Sequence, residues 1–380
     1  MNLLHFDVEG GWGGSSISLF EIVKKLKRNN HKSFIVCRRK GPIQKKYKQE
    51  KIKYFIENNL YSFIPRKNGK NLKNFIVSAV QLIFFPLGIA NVIKIIKKNN
   101  IDILHINYEG LFLLGFLLKL ITKKPIIFHI RTQFPEKNLA CKFIVFLISK
   151  YIADYIFFIT DMERFFFNKY TNESKVPQKI LFNISSFNHS KKNINSNIIS
   201  YFGNISYAKG VDRILDIAKI CQQKKLNYKF KIYGKLSKFG YGKEFYYKLK
   251  QTIKENNLNN LYLMGHVSNP EIHLSNSYLL IRLSRANDPY GRDIIEALTL
   301  GVPSLATGSY QGIIKNNFNG YLINKFSLQK VIYYLEKLKK NNRERNRLSS
   351  NCLKISYKFD GTEQTKLFEK AINFIKINNR

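Results

Sequence analysis

Two carboxylates, Asp288 and Glu296, stand with seven residues between them, flanked by Arg285 and Arg292 and separated by Gly291. Arg285 to Gly291 is polar and punctuated by Pro289 and Gly291, which reads as a loop. From Arg292 the pattern turns helical: Ile294, Ile295 and Leu298 share a face, Asp293 falls in the first turn, and Gly301 stops the run. Val302 to Thr307 then reads as a short strand. A loop feeding a helix start offers free backbone N–H groups and the positive end of the helix dipole, a setting that favours an anion. Three further stretches carry similar chemistry. Gly10 to Ser16 is a glycine turn after the apolar run Leu3 to Val8, which lets backbone approach a phosphate closely. Lys209-Gly210 opens another helical pattern, and His129 and Arg131 end the apolar run that begins at Pro125. The glycine turn is not G-x-G-x-x-G, so it does not read as a dinucleotide site.

The elements that must hold these residues alternate. Leu3 to Val8, Ser33 to Cys37, Ile101 to Ile106, Pro125 to Arg131 and Tyr155 to Thr160 read as buried strands. Helical patterns follow them at Ile17 to Arg28, Leu111 to Ile121 and Cys141 to Ile152. Such alternation predicts a parallel, doubly wound sheet, with ligands at the carboxyl ends of its strands. Residues 42–73 are basic, irregular and interleaved with Tyr47, Tyr54, Phe55, Tyr61 and Phe63. Asn74 to Ile93 then carries no charge, about the length of a membrane span, but Gln81, Pro86, Gly88 and Asn91 interrupt it. A helix at a membrane interface and a plain buried helix are both open readings. A polar stretch rich in Asn, Ser and Lys, Asn183 to Asn197, reads as a linker. A second α/β unit starts at Ile198 to Gly203, continues through strands at Tyr228 to Tyr233, Leu261 to Val267 and Tyr278 to Leu283, and ends in helices at Leu328 to Lys340 and Thr362 to Ile377.

The stretch from Asp288 to Pro303 resembles the E-x7-E segment of retaining GT-B glycosyltransferases of the family 4 kind, whose usual form is E-G-F-G-x-x-x-x-E-A-x-A-x-G-x-P. Asp288 takes the first acidic position, Gly291 the glycine and Glu296 the second acid; Ala297, Gly301 and Pro303 follow in register. Gly13-Gly14 fall where the family has Gly-Gly before its first helix, and Lys209-Gly210 match the end of G-R-x-x-x-x-K-G. Leu261 to Val267, with Gly265, matches a strand-then-G-x-V pattern. The departures are Asp for the first Glu and Asn204 for the arginine that grips the donor diphosphate. The resemblance covers most of the chain, strongest over 199–323.

It implies two Rossmann-like doubly wound domains facing a crevice, with the last helix returning to the first. The expected boundaries are 1–185 for an acceptor-side domain, 186–197 for a linker, 198–355 for a nucleotide-sugar domain and 356–380 for the returning helix. It implies Gly13, Gly14, Lys209, Gly291 and Arg292 at the diphosphate, with Arg285 a further cation, and Glu296 and Gly265 at the nucleoside. Asp288 and His129 would lie at the transferred sugar, with Arg131 less settled. No Asp-x-Asp occurs, so the ligands of a metal-bridged mechanism are missing. No cofactor is expected beyond a UDP- or GDP-linked sugar donor, and backbone amides and cations must stabilise the leaving diphosphate.

Composition bounds the reading. At 380 residues with 44% hydrophobic and 14% aromatic content, the chain supports two folded domains. The net charge of +39 is shared by both halves, which suits nucleic acid, an anionic membrane or an anionic substrate, or reflects lysine-rich composition throughout. Four separated cysteines form no metal or redox pair, and the start shows no secretory pattern, so the expected address is cytoplasmic, peripheral on the inner face of the membrane. The expected partners are a nucleotide-sugar, a glycan or lipid-linked acceptor and an anionic membrane surface, in surface polysaccharide assembly. Two rivals are an inactive GT-B partner protein, which Asn204 favours, and a nucleic-acid-binding protein, which lacks any recognisable module.

Overall fold

A computed structural model of the chain describes residues 1–8, 10, 14–62, 72–134, 138–171, 174–187, 196–236, 242–286 and 290–378, with residues 72–80 as backbone. It divides into two compact units, Met1–Ile184 with Gly361–Arg380, and Ser185–Asp360.

In the first unit the elements run β1 (Asn2–Asp7), α1 (Gly14–Arg28), β2 (Lys32–Cys37), α2 (Ile43–Gln49), β3 (Lys53–Ile56), α3 (Leu72–Lys98), β4 (Ile103–Ile106), α4 (Phe112–Thr122), β5 (Ile126–Ile130), α5 (Leu139–Leu147), β6 (Tyr155–Phe158), α6 (Asp161–Asn168) and β7 (Gln178–Ile180). Among the described residues its sheet has the order β3-β2-β1-β4-β5-β6-β7, every pairing parallel. The order reverses between β1 and β4, which makes the carboxyl ends of these strands the topological switch point. Strand alternation divides the core: Leu4, Phe6, Leu104, Ile106, Phe128 and Ile130 pack in one cluster, Leu3, Ile103 and Ile127 in another on the opposite face.

The second unit runs β8 (Ile198–Phe202), α7 (Val211–Gln223), β9 (Lys229–Tyr233), α8 (Gly242–Glu255), β10 (Leu261–Gly265), α9 (Pro270–Ser275), β11 (Leu279–Arg282), α10 (Arg292–Thr299), β12 (Ser304–Thr307), β13 (Gly320–Ile323), α11 (Leu328–Lys340) and α12 (Asn342–Ser356). Its sheet, again parallel, has the order β10-β9-β8-β11-β12-β13 and reverses between β8 and β11. The final helix, α13 (Gly361–Asn378), leaves this unit and packs on the first, where Phe368, Ala371, Ile372 and Ile375 join Leu3, Ile22 and Ile127. The two parallel doubly wound units and the returning last helix are as expected.

Capping explains several helix starts. Thr160 caps α6, accepting from the Met162 amide at 3.1 Å and donating to the Glu163 carboxylate. Asn138, Ser327 and Asn341 cap α5, α11 and α12 in the same way. Local expectations differ in three places. The stretch 42–73, read as irregular, holds α2 and β3; Tyr47 on α2 and Ile52 just before β3 are buried with residues of α1 and β2. The helix expected over 141–152 is α5 followed by a π turn at Ile148–Ile152. A polar stretch not read as helix forms α12, with Leu348, Cys352 and Ile355 on its buried side. Residues 74–93 lie within α3, and among the described residues no helix is long and apolar enough to cross a membrane.

Candidate functional site

In the second unit the site forms where the sheet order reverses. The turn after β8 passes Asn204, whose side chain is exposed, and a 3-10 turn at Tyr207–Lys209. Gly210 then starts α7 with φ of +70°, and a Cβ there would collide with the Leu283 carbonyl oxygen. Only glycine lets this turn sit against the end of β11. Lys209 is half-buried in the turn.

Arg285, expected as a diphosphate cation, is engaged differently. Its guanidinium lies 3.4 Å from the centroid of the Tyr207 ring and grips Asp212 through two contacts of 2.8 and 2.5 Å. It also donates to the Tyr207 carbonyl, and the Arg285 amide donates to Ala208 O at 3.0 Å. Arg285 therefore ties the β8–α7 turn to the end of β11, with its charge already compensated by Asp212.

The helix start at α10 is built by a pair that sequence reasoning missed. Arg282, the last residue of β11, donates to both Asp293 oxygens at 2.8 and 3.1 Å and to the Tyr290 carbonyl at 3.0 Å. Both side chains are only 10% exposed. A Cβ at Gly291 would collide with Asp293 Oδ1 and Arg282 Nη1, so the glycine makes room for this pair. Gly291 is the N-cap, and among the described residues no side chain caps the helix; the Ile294 and Ile295 amides bond back to Gly291 O at 3.2 and 3.3 Å, so the amides of Arg292 and Asp293 are the ones a ligand could take. Asp293 was read only as a helix-dipole acid; an arginine ending an otherwise apolar strand was the signal for the pair.

Arg292 and Glu296 share a face one turn apart, 2.6 Å from Nη2 to Oε1. Nη2 also donates to Ser186 Oγ at 3.2 Å, whereas the buried Nη1 finds no partner among the described residues. A buried guanidinium nitrogen with no described partner, on the first residue of a helix, is a candidate group for an anion. Burial pushes the Glu296 carboxyl above its ordinary range, and Arg292 opposes the shift. Gly265 ends β10 with φ of +74°, and its carbonyl accepts from Gly234 N at 2.8 Å. Asp288 lies outside the described residues.

In the first unit, Gly13 lies outside the described residues and Gly14 is the exposed first residue of α1. Behind it, Ser16 donates to the buried Asp7 at 2.6 Å. Alternation puts His5, Asp7, His105, Asn107, His129 and Arg131 on one face of the sheet. The register sets His5 beside His105 and His105 beside Ile127, so His129 is level with Asn107 and Arg131 lies one pleat further toward the carboxyl edge. His129 is an interior residue, 1% exposed, between His105 and Phe157. Its Nε2 has no hydrogen-bond partner among the described residues. Burial pulls His5 down to about 3 and holds His105 and His129 well below the ordinary histidine range. All three are neutral imidazoles at pH 7.

Arg131 reaches the edge instead. It donates to Asn107 Oδ1 through Nε at 2.9 Å and Nη2 at 2.6 Å, and to Asn183 at 2.9 Å. Glu109 accepts from the Arg131 amide at 2.9 Å and from Thr132; burial raises its carboxyl above the ordinary range. Asn107 and Glu109, polar residues just past β4, carried the same signal used for His129 and were not singled out. Among the described residues no cluster of His, Cys, Asp or Glu is arranged to hold a metal ion.

Comparison with known proteins bears on the family and the fold. The family model for glycosyl transferases group 1 matches residues 184–354, and that for glycosyltransferase family 4 matches residues 12–172. The poly(glycerol-phosphate) alpha-glucosyltransferase of Bacillus subtilis is 27% identical over 145 residues, 37% of this chain and 21% of that protein. The chain therefore matches about a fifth of that relative's length. Anabaena HepE in complex with UDP-glucose superposes with a TM-score of 0.79 at 18% identity, over 98% of this chain and 99% of that one. The lipopolysaccharide outer core galactosyltransferase WaaB superposes with a TM-score of 0.67 at 15% identity, over 98% and 99%. With two parallel doubly wound units and family models matched over residues 12–172 and 184–354, the chain belongs to the GT-B glycosyltransferases of group 1.

Proposed function

We propose that the chain is a retaining, metal-independent glycosyltransferase of the hexosyltransferase type. It moves a sugar from a UDP- or GDP-linked donor to a lipid-linked or membrane-held glycan acceptor in surface polysaccharide synthesis. The observation that carries the reading is the start of α10, where among the described residues no side chain caps the helix, Arg292 Nη1 has no partner, and Arg292 Nη2 pairs with Glu296. In this reading Arg292, Lys209 and the α10 amides neutralise the diphosphate, and Glu296 accepts from the ribose hydroxyls. Gly265 gives the base close backbone approach. Arg285 holds the Lys209 turn in place and leaves phosphate binding to the others. Gly13, Gly14 and Asp288 keep the roles that the family resemblance implies, at the diphosphate and the transferred sugar.

His129 and, less centrally, Arg131 keep the place at the transferred sugar that the family resemblance implies, the two being 1% and 9% exposed. The retaining outcome is supported by the Bacillus relative's name, since an α-glucoside made from an α-linked donor keeps its configuration. Anabaena HepE, seen with UDP-glucose, favours UDP as the donor nucleotide. The relatives named for poly(glycerol phosphate) and lipopolysaccharide support an acceptor at the cell surface.

Membrane association rests on the charge of +39 and on an exposed apolar face, Leu82, Ile83, Phe84 and Leu87 on α3. It places the protein at the inner face of the membrane, held peripherally. The test is transfer from radiolabelled UDP-glucose or GDP-mannose into a membrane-extracted glycan, without added metal and with chelator present. Product from one donor, absent with Glu296→Ala, is expected. No product from any donor, with membranes from the native host supplying the acceptor, would favour the inactive partner protein that Asn204 suggests.

A further inference from the structure

A cavity of about 940 Å³ opens on the first unit at the amino-terminal ends of β6 and β7, the opposite edge from Asp7, Asn107 and Arg131. Lys142 and Lys150 line it from α5 and the π turn, Lys169 from the end of α6, and Lys175 from the approach to β7. The carboxylate described in its lining, Asp154, is already taken by Lys119 at 2.6 Å and by the Ile126 amide at 2.7 Å. The described lining is therefore strongly cationic, and the transfer site does not use it.

The rim is aromatic and aliphatic. Phe146, Tyr151, Phe374 and Ile377 are 43%, 48%, 38% and 73% exposed. Lys150 Nζ lies 5.4 Å from the Phe146 centroid and 5.6 Å from that of Tyr151, and Lys169 Nζ lies 4.6 Å from that of Phe165. Ammonium groups held above exposed rings are the composition of a membrane–water interface, where rings sit among headgroups and cations meet phosphates. Phe143 on α5, 57% exposed, extends this rim toward α4, whose Leu120 and Ile121 are also exposed.

We propose that this cavity binds the phosphate of an anionic phospholipid headgroup while its apolar rim enters the interface. The inference rests on the membrane reading above and adds to it a specific site. A soluble phosphate is the weaker candidate, because the lysines are exposed and the rings around them gain nothing from a ligand without acyl chains.

The test is flotation of the full chain with phosphatidylcholine vesicles, with and without phosphatidylglycerol. The pocket variant carries Lys142→Ala, Lys150→Ala, Lys169→Ala and Lys175→Ala. A control of equal charge carries Lys243→Ala, Lys248→Ala, Lys250→Ala and Lys254→Ala on α8. All eight side chains are exposed, so both variants should melt like the parent. The pocket variant should lose phosphatidylglycerol-dependent binding by on the order of a hundredfold, and the control far less. Glycerol phosphate in solution should neither bind the unmodified protein at comparable concentration nor compete with vesicles. Equal losses in the two variants, or undiminished binding by the pocket variant, would overturn the site and leave the membrane reading intact. Failure of the unmodified protein to float with either vesicle would overturn both. Binding of free glycerol phosphate without vesicle binding would assign the cavity to a soluble phosphate instead.

Discussion

Each of the three buried histidines, His5, His105 and His129, gives the first unit a proton-linked weakness. His5 Nδ1 lies 2.9 Å from His105 Nδ1, the Phe368 ring covers both, and burial keeps all three uncharged. A histidine with a lowered folded pKa binds its proton more tightly in the unfolded chain. Stability is therefore fully present above the unfolded value of 6.5 and declines as pH falls toward the folded value, about 3 for His5. Each buried histidine contributes a slope of roughly 1.4 kcal/mol per pH unit over that window. Urea unfolding of the parent and of His105→Gln at pH 7 and pH 5 should show a shallower fall in the variant. Identical slopes would mean that His105 is protonated in the folded chain. Alternation of side chains along Pro125 to Arg131 was enough to place His129 and Arg131 on one face. What the sequence did not show was how far the carboxyl edge extends, and so that Arg131 is the outer residue and His129 the inner.

At the scale of elements, the loop, helix and strand over 285–307 were legible because glycine, proline and apolar spacing punctuate them locally. The Arg282–Asp293 pair was not, since it joins a strand end to a helix start through tertiary contact. With both side chains nearly buried, losing one partner strands a charge. Arg282→Met should destabilise the second unit by about 3–5 kcal/mol, and adding Asp293→Asn should restore most of that loss. Additive losses in denaturant unfolding would show that the pair is not coupled. Beneath α10, Ile294, Ile295 and Leu298 are buried, so the helix is anchored by its apolar face whatever happens at its start. The variant should therefore lose nucleotide affinity before it loses the helix. Helix α12 went unread for the opposite reason: its charged residues mask a narrow apolar stripe.

The whole chain is two doubly wound units, with α13 crossing from the end of the second unit to pack on the first. Removing residues 361–380 would expose Leu3, Ile22 and His5 and delete the buried Phe368, Ala371, Ile372 and Ile375. Burying a large apolar side chain contributes about 1.5–3 kcal/mol, so the loss is comparable to the net stability of a domain. Limited proteolysis of the truncated chain should degrade residues 1–184 and spare a fragment near 185–360; equal survival of both would contradict the assigned role of α13. The central claim concerns the second unit, and thermal shift with UDP, GDP, dTDP, ADP and CMP, on the parent and on Glu296→Ala, tests it most directly. A nucleotide present at about a hundred times its dissociation constant stabilises its site by about 2.7 kcal/mol. UDP or GDP should give a shift that Glu296→Ala abolishes; a shift of equal size in that variant would contradict the placement of the nucleotide at α10.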